Sequence, residues 1–211
     1  MNSAHPQRVV AYVDGFNLYH GLHAANGRRD LWLDIEAMLR EPAFTDPSRG
    51  QQLVAVHYFT AAVDGPGRDR QDVYLRALAA HGTCTTTHLG RFQRKLVTCR
   101  RCGVTWNSWE EKESDVSLAV ELVKGAALDH YDRALLLSAD SDMCPAVRSA
   151  RAIAPHKPII AVFPPRRHSD QLRQECHAVV TLTPGRAARN QLPAAVTTPT
   201  GSTLHRPAYW T

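Results

Sequence analysis

The chain has 211 residues, with 25 Lys and Arg against 20 Asp and Glu, which gives a formal net charge of +5. This length suits one α/β domain with appendages, and the positive charge favours a polyanionic partner. No run approaches the roughly 20 apolar residues of a membrane span, and the first residues lack the layout of a signal peptide, so we expect no membrane association. Five cysteines, an odd number, indicate a reducing, cytoplasmic setting.

Short apolar runs alternate with amphipathic segments along most of the chain. Strands are predicted at residues 8–13, 53–59, 83–89, 134–137, 158–163 and 178–182. Helices are predicted at residues 17–25, 31–39, 70–80, 108–128, from 145 onward and at 170–175. This rhythm predicts an α/β fold in three layers, with a mostly parallel sheet of roughly five or six strands spanning residues 8–182. Periodicity vanishes over residues 183–211, which predicts a flexible tail.

One segment, residues 91–107, breaks the alternation of strands and helices and is predicted to be a small insert. Cys99 and Cys102 within it have the spacing of half a tetrahedral Zn²⁺ site, which would let a short insert without a core hold its shape. The candidates for further ligands are His81, Cys84 and His88. Two ordinary reduced thiols in a loop are the alternative interpretation.

The insert is also basic. Its five Lys and Arg are Arg91, Arg94, Lys95, Arg100 and Arg101, and Trp106 and Trp109 follow. Positive charge neutralises phosphates and exposed aromatic rings stack on unpaired bases, so the insert is a candidate RNA-binding surface unless both Trp rings are buried. Arg166 and Arg167 follow the strand at 158–163 and are candidates to hold a backbone phosphate. Ser108 to Glu111 have capping-box spacing, which predicts that the next helix begins there.

Acidic residues follow two of the predicted strands. Asp14 comes directly after the first strand, and Asp140 and Asp142 follow the strand at 134–137. The carboxyl ends of parallel strands share one edge of a sheet, where ligands bind in open α/β folds. Asp115 lies near the apolar stripe of its helix, where a free carboxylate is costly. Taken singly, these residues could be turn residues, helix caps or solvated charges.

Taken together, the four carboxylates need a compensating charge. Mg²⁺ or Mn²⁺ would supply it, because these hard cations bind carboxylate and water oxygens. In phosphodiester cleavage such ions orient the nucleophile and neutralise developing charge. The sequence therefore favours a metal-dependent hydrolase of a phosphodiester.

Three blocks resemble one known family when their order and spacing are taken together. They are VDGFNLY at residues 13–19, EKESDV at 111–116 and LSADSD at 137–142. The chain is similar in these blocks to the NYN domain family, a LabA-like branch of the PIN-like nucleases. The resemblance implies a PIN-like fold and metal-dependent cleavage of RNA, with Asn17 and Ser138 as polar supports beside the acids. Ala139 departs from the family, which often has Gly at that position.

The leading hypothesis is a metal-dependent ribonuclease with Mg²⁺ or Mn²⁺ as cofactor and RNA as partner. The predicted catalytic and metal-binding residues are Asp14, Asp115, Asp140 and Asp142. The predicted substrate-binding residues are Asn17, Ser138, Arg100, Arg101, Arg166 and Arg167. The alternative is a non-catalytic RNA-binding or regulatory module of the same fold, and self-association into a homo-oligomer stays open.

Two other acid-based folds are minor alternatives. A phosphatase of the haloacid dehalogenase type would have a second Asp where this chain has Phe16. A Toprim domain would have Glu where this chain has Asp14.

Overall fold

The computed structural model of the chain describes residues 5–62 and 67–210, and within these ranges the side chains other than those of 92–95 and 107–112. The strands are β1 Gln7–Asp14, β2 Gln51–Ala61, β3 Thr85–Thr98, β4 Thr105–Lys112, β5 Arg133–Leu137, β6 Ile159–Phe163, β7 Ala178–Thr181, β8 Ala195–Thr197 and β9 Thr203–His205. The α-helices are α1 Gly15–Asn26, α2 Ile35–Leu39, α3 Arg68–His81, α4 Ser114–Ala127, α5 Cys144–Ile153, α6 Asp170–Glu175 and α7 Pro184–Arg189. None of the helices in these ranges is long and apolar enough to cross a membrane.

The main sheet has seven strands in the order β4-β3-β2-β1-β5-β6-β7. Six of them are parallel and only β4 runs antiparallel to its neighbour, which confirms the predicted α/β fold with a mostly parallel sheet. The strand order reverses between β1 and β5. Strands β2, β3 and β4 follow one another on one side of β1, whereas β6 and β7 follow β5 on the other side. In open α/β sheets the carboxyl edge at such a reversal is the usual position of a ligand site.

The core lies on both faces of the sheet. Along β1, Val9, Ala11 and Val13 pack into one layer, whereas Val10 and Tyr12 pack into the other. A strand buried on both faces has to be apolar throughout, which explains why its sequence shows a continuous run and no alternation. The first layer includes side chains of α1, α2 and α3, and the second includes side chains of α4 and α5.

The predicted insert is a β-hairpin. Strand β3 continues past the main sheet and pairs antiparallel with β4 in an unbroken register from Arg91 opposite Lys112 to Thr98 opposite Thr105. The prediction that a helix begins at Ser108 is therefore wrong, because backbone hydrogen bonding along the hairpin overrides the local capping pattern. Helix α4 begins six residues later, after Glu113 turns the chain at φ 80°.

The prediction of a flexible tail over residues 183–211 is also wrong for the part that the structure describes. This segment contains α7 and the β8–β9 hairpin. Trp210 is buried, and the indole Nε1 of Trp32 donates a hydrogen bond to the carbonyl of Pro193 at 2.8 Å. The segment is ordered by packing against the first layer of the core rather than by a periodic pattern of its own.

Candidate functional site

Asp14 joins the first strand to the first helix. It is the last residue of β1 and caps α1, because its Oδ1 accepts a hydrogen bond from the Asn17 amide at 2.9 Å. Its Oδ2 accepts a hydrogen bond from the Ser138 hydroxyl, also at 2.9 Å. Ser138 is fully buried directly after β5, so the ends of β1 and β5 meet as the sequence predicts.

Asn17 and Ser138 hold the two strand ends together. The side-chain Oδ1 of Asn17 accepts a hydrogen bond from the Ala139 amide at 3.2 Å. The Ser138 hydroxyl accepts one from the Asp140 amide at 3.0 Å while donating to Asp14. Both side chains therefore position the acids, in keeping with their predicted role as polar supports; substrate contact by either stays a prediction.

Asp140 and Asp142 follow β5 in a tight turn. Asp140 caps a short 3-10 helix at Ser141–Met143 by accepting a hydrogen bond from the Asp142 amide at 2.9 Å. The alternative interpretation of Asp140 as a helix cap is thus correct, and Asp14, for which the alternative was a turn residue, caps a helix as well. Each cap uses one carboxylate oxygen, which leaves the remaining oxygen of Asp140 free for a ligand.

Asp115, the second residue of α4, completes the cluster. Burial raises the pKa of Asp115, and the charges of Asp140 and Asp142 raise it further. Burial likewise raises the pKa of Asp14 to about 6, against the hydrogen bonds from Asn17 and Ser138, and the charges of Asp115 and Asp140 add to the rise. The four aspartates therefore share one electrostatic field. None of them forms an ion pair with a Lys or Arg that the structure describes.

Gly15 permits the close approach that builds this edge. A Cβ at this position would lie 2.7 Å from the carbonyl oxygen of Phe59 and 2.8 Å from the ring of Tyr58. Both contacts are too short for a real side chain, so only glycine lets α1 begin so close to β2. The position of Asp14 at the start of this helix depends on that fit.

The carboxylate oxygens of the four aspartates suit a hard divalent cation, although they do not form a complete coordination shell. Among the described residues, no group of three or more His, Cys, Asp or Glu side chains is arranged to hold a metal ion. The cluster offers carboxylate oxygens, has no Lys or Arg partner among the described residues and is partly open, since Asp142 and much of the surface of Asp115 are exposed. These properties fit Mg²⁺ or Mn²⁺, which keep several waters and need few protein ligands.

Sequence reasoning missed Ser114. It is the first residue of α4 and is buried, and its hydroxyl has no hydrogen-bond partner in the described part of the chain. This orphaned oxygen is adjacent in sequence to Asp115. A prediction that α4 begins at Ser114 would have identified this residue, but the capping-box spacing at Ser108 indicated an earlier start of the helix.

The basic hairpin begins beside the acids and ends away from the main sheet. At its base, the Arg91 guanidinium pairs with Glu113 at 2.7 Å, next to the start of α4. At its tip, Arg100 and Arg101 are exposed, and Trp106 is 49% exposed rather than buried. The side chains of Arg94, Lys95, Trp109 and Glu111 lie outside those that the structure describes. The hairpin therefore presents an arginine pair and an aromatic ring to solvent.

Cys99 and Cys102 lie in the turn of this hairpin, but the ligands expected to join them do not reach it. His81 pairs with a carboxylate at 3.0 Å, and Cys84 precedes β3. Strand β3 lies between Cys84 and Cys99. Its 14 residues, at about 3.3 Å per residue, separate the two cysteines by up to roughly 45 Å. His88 stacks on a phenylalanine ring of β2. The prediction of these three further ligands is wrong; Zn²⁺ at the cysteine pair itself stays a prediction.

Arg166 and Arg167 follow β6 and so lie at the same edge as the acids. Both are exposed, and Arg166 has φ 58°. Arg167 packs close to α1, since a Cβ added at Gly21 would lie 3.4 Å from the Cγ of Arg167. Burial lowers the pKa of His20, and the charge of Arg167 adds to this effect. The predicted phosphate-binding pair is thus next to α1, whereas Arg100 and Arg101 are at the tip of the hairpin.

Comparison with known proteins agrees with this architecture. A solved structure of a protein of unknown function from Vibrio parahaemolyticus has the same fold, with a TM-score of 0.54 and 19% identity over 87% of this chain and 97% of that one. The chain is also 25% identical to 6-hydroxy-3-succinoylpyridine 3-monooxygenase HspA of Pseudomonas putida, over 70% of this chain and 56% of that protein's length. The model of the NYN domain matches residues 8–183. With this match over most of its length, the chain belongs to the NYN domain family, which is part of the PIN-like nuclease superfamily.

Proposed function

We propose that this protein is a metal-dependent ribonuclease that hydrolyses RNA phosphodiester bonds at the cluster of Asp14, Asp115, Asp140 and Asp142. The observation that carries the proposal is the set of four carboxylates without a described cationic partner, at the reversal point of a sheet in an NYN domain. Carboxylates in this arrangement repel one another, and a divalent cation is the ligand that relieves the repulsion. The cap hydrogen bonds on α1 and on the 3-10 helix hold two of the four in place.

The four carboxylates would hold Mg²⁺ or Mn²⁺, which when bound orients water and neutralises charge on the phosphate. Asn17 and Ser138 keep the carboxylates of Asp14 and Asp140 in position through the hydrogen bonds described above. The arginines of the hairpin tip and those after β6 bind backbone phosphates of the RNA strand. Their charge neutralises phosphates whatever the base sequence, so we expect weak sequence preference from this part of the surface. The free cysteines are in keeping with a cytoplasmic setting.

A cleavage assay on labelled single-stranded RNA tests the proposal. Cleavage should require Mn²⁺ or Mg²⁺ and should fall by at least about a hundredfold in Asp140→Asn and in Asp115→Asn, because losing a ligand costs more than losing a supporting contact. Asp72→Asn is the matched control, since Asp72 is exposed on α3 and, among the described residues, forms an ion pair with Arg76 alone. It should cleave like the wild type.

The alternative of a non-catalytic RNA-binding module predicts a different outcome. RNA would bind to the wild type and to all three variants, and no cleavage would appear with either metal. That result would overturn the proposed activity.

A further inference from the structure

A cavity of about 400 Å³ lies between α1, α3 and the C-terminal segment, within the usual size range of small-molecule sites. Its aromatic lining residues are Phe16, Tyr19, Tyr58, Tyr74, Tyr209 and Trp210. Gly15 also lines it, and Gly15 directly follows Asp14. The lining of the cavity therefore begins one residue after Asp14, on the side of β1 that faces β2.

Two arginines provide positive charge at this cavity. The guanidinium of Arg28 lies 3.8 Å from the ring centre of Tyr209, and that of Arg70 lies 4.7 Å from the same centre. Both line the cavity, and neither pairs with a carboxylate that the structure describes. Two guanidinium groups over one ring, without an acid among the described residues, are suited to bind an anion such as a phosphate, which arginine contacts in a bidentate manner.

A tyrosine hydroxyl of the cavity wall is also without a partner among the described residues. Tyr58 is 6% exposed, and its hydroxyl makes no hydrogen bond with the described residues. By contrast, the hydroxyl of the neighbouring Tyr74 donates to the carbonyl of Leu33 at 3.0 Å. Tyr58 therefore supplies an unused hydrogen-bonding group to any ligand that enters the cavity.

We propose that this cavity binds a nucleotide, with the base among the tyrosine rings and the phosphate held by Arg28 and Arg70. Inorganic phosphate alone would leave the aromatic walls unused, and an apolar ligand would leave both arginines unused. The inference rests on the proposed function in one respect: the nucleotide is a unit of the RNA strand whose neighbouring phosphate reaches Asp14. A free nucleotide has the same chemistry, and the test separates the two sources.

The first arm measures binding of adenosine 5′-monophosphate by calorimetry, with EDTA present so that the acids play no part. Arg28→Ala should weaken binding by at least about tenfold, the worth of one charge-assisted contact, and so should Tyr209→Leu, which removes the ring that both guanidinium groups lie over. Arg29→Ala is the matched control, because Arg29 is exposed next to Arg28 but does not line the cavity. Adenosine and inorganic phosphate should each bind more weakly than the nucleotide.

The second arm measures RNA cleavage by the same variants. If the nucleotide is part of the substrate, Arg28→Ala should raise KM and leave kcat nearly unchanged. If only the first arm responds, the site holds a free nucleotide. Absence of binding in the first arm together with unchanged KM in the second would overturn the inference, even for a protein that cleaves RNA. A protein that binds the nucleotide but cleaves nothing would overturn the proposed function alone.

Discussion

The buried carboxylate of Asp14 should make the metal-free protein less stable as pH rises. Asp14 is 8% exposed, and burial is the largest cause of its pKa being raised from 3.8 to about 6. At 1.36 kcal/mol per unit, this shift favours the protonated folded state by up to about 3 kcal/mol. Because the pKa is raised by folding, that stability is fully present below about pH 4 and is lost as pH rises through about 6. Between about pH 4.5 and about pH 7.5 the expected loss is about 2 kcal/mol.

Urea unfolding in EDTA at these two pH values measures the loss, with Asp14→Asn as the comparison. Asn keeps the cap acceptor for the α1 amide, and it does not titrate. The wild type should lose about 2 kcal/mol more than Asp14→Asn between the two pH values, whereas Asp72→Asn should lose as much as the wild type. Equal pH dependence in the wild type and in Asp14→Asn would show that folding does not raise the pKa of Asp14, and would contradict this prediction.

Three further predictions concern other parts of the chain. Although burial opposes it, hydrogen bonds from two backbone amides and two threonine hydroxyls lower the pKa of Glu36 to about 2. The ionised Glu36 carboxylate should add about 3 kcal/mol to the free energy of unfolding above about pH 4.5, and this stabilisation should be lost as pH falls toward 2. In chemical unfolding, the wild type and Glu36→Gln should therefore become similar in stability in acid. Gly125→Ala should destabilise the protein by about 1–3 kcal/mol in the same assay, because a Cβ there would overlap the Tyr12 hydroxyl; an unchanged midpoint would contradict the packing. Replacing Arg100 and Arg101 by Ala should reduce the slope of log affinity for RNA against log salt by about 1.4, at about 0.7 per phosphate, and an unchanged slope would remove the hairpin tip from the binding surface.

The sequence was sufficient to predict the parallel sheet and the position of the acids. Strands buried on both faces show continuous apolar runs, and Asp14 and Asp140 follow such runs immediately. Once two strands are neighbours in a parallel sheet, their carboxyl ends must meet. The bond between Ser138 and Asp14 at 2.9 Å is the structural consequence of that rule.

The features that the sequence did not predict depend on contacts between distant residues. The β3–β4 hairpin forms by pairing that no local pattern at Ser108 reveals. The C-terminal segment is ordered because Trp210 packs next to Trp32, 178 positions earlier in the chain. The cavity beside Tyr58 exists only because that segment closes one side of it. Each of these requires knowledge of the tertiary fold before the local structure can be stated.

The most direct test of the central claim is a crystal structure of the protein grown with Mn²⁺, with anomalous scattering used to locate the ion. We expect a peak at the carboxyl edge of β1 and β5, with oxygens of Asp140 and at least one of Asp14, Asp115 and Asp142 at roughly 2.1 Å or bridged by water. The peak should vanish in crystals of Asp140→Asn under the same conditions. Data with no peak at this edge, or with Mn²⁺ held only by residues elsewhere, would contradict the claim that these four aspartates form one metal site.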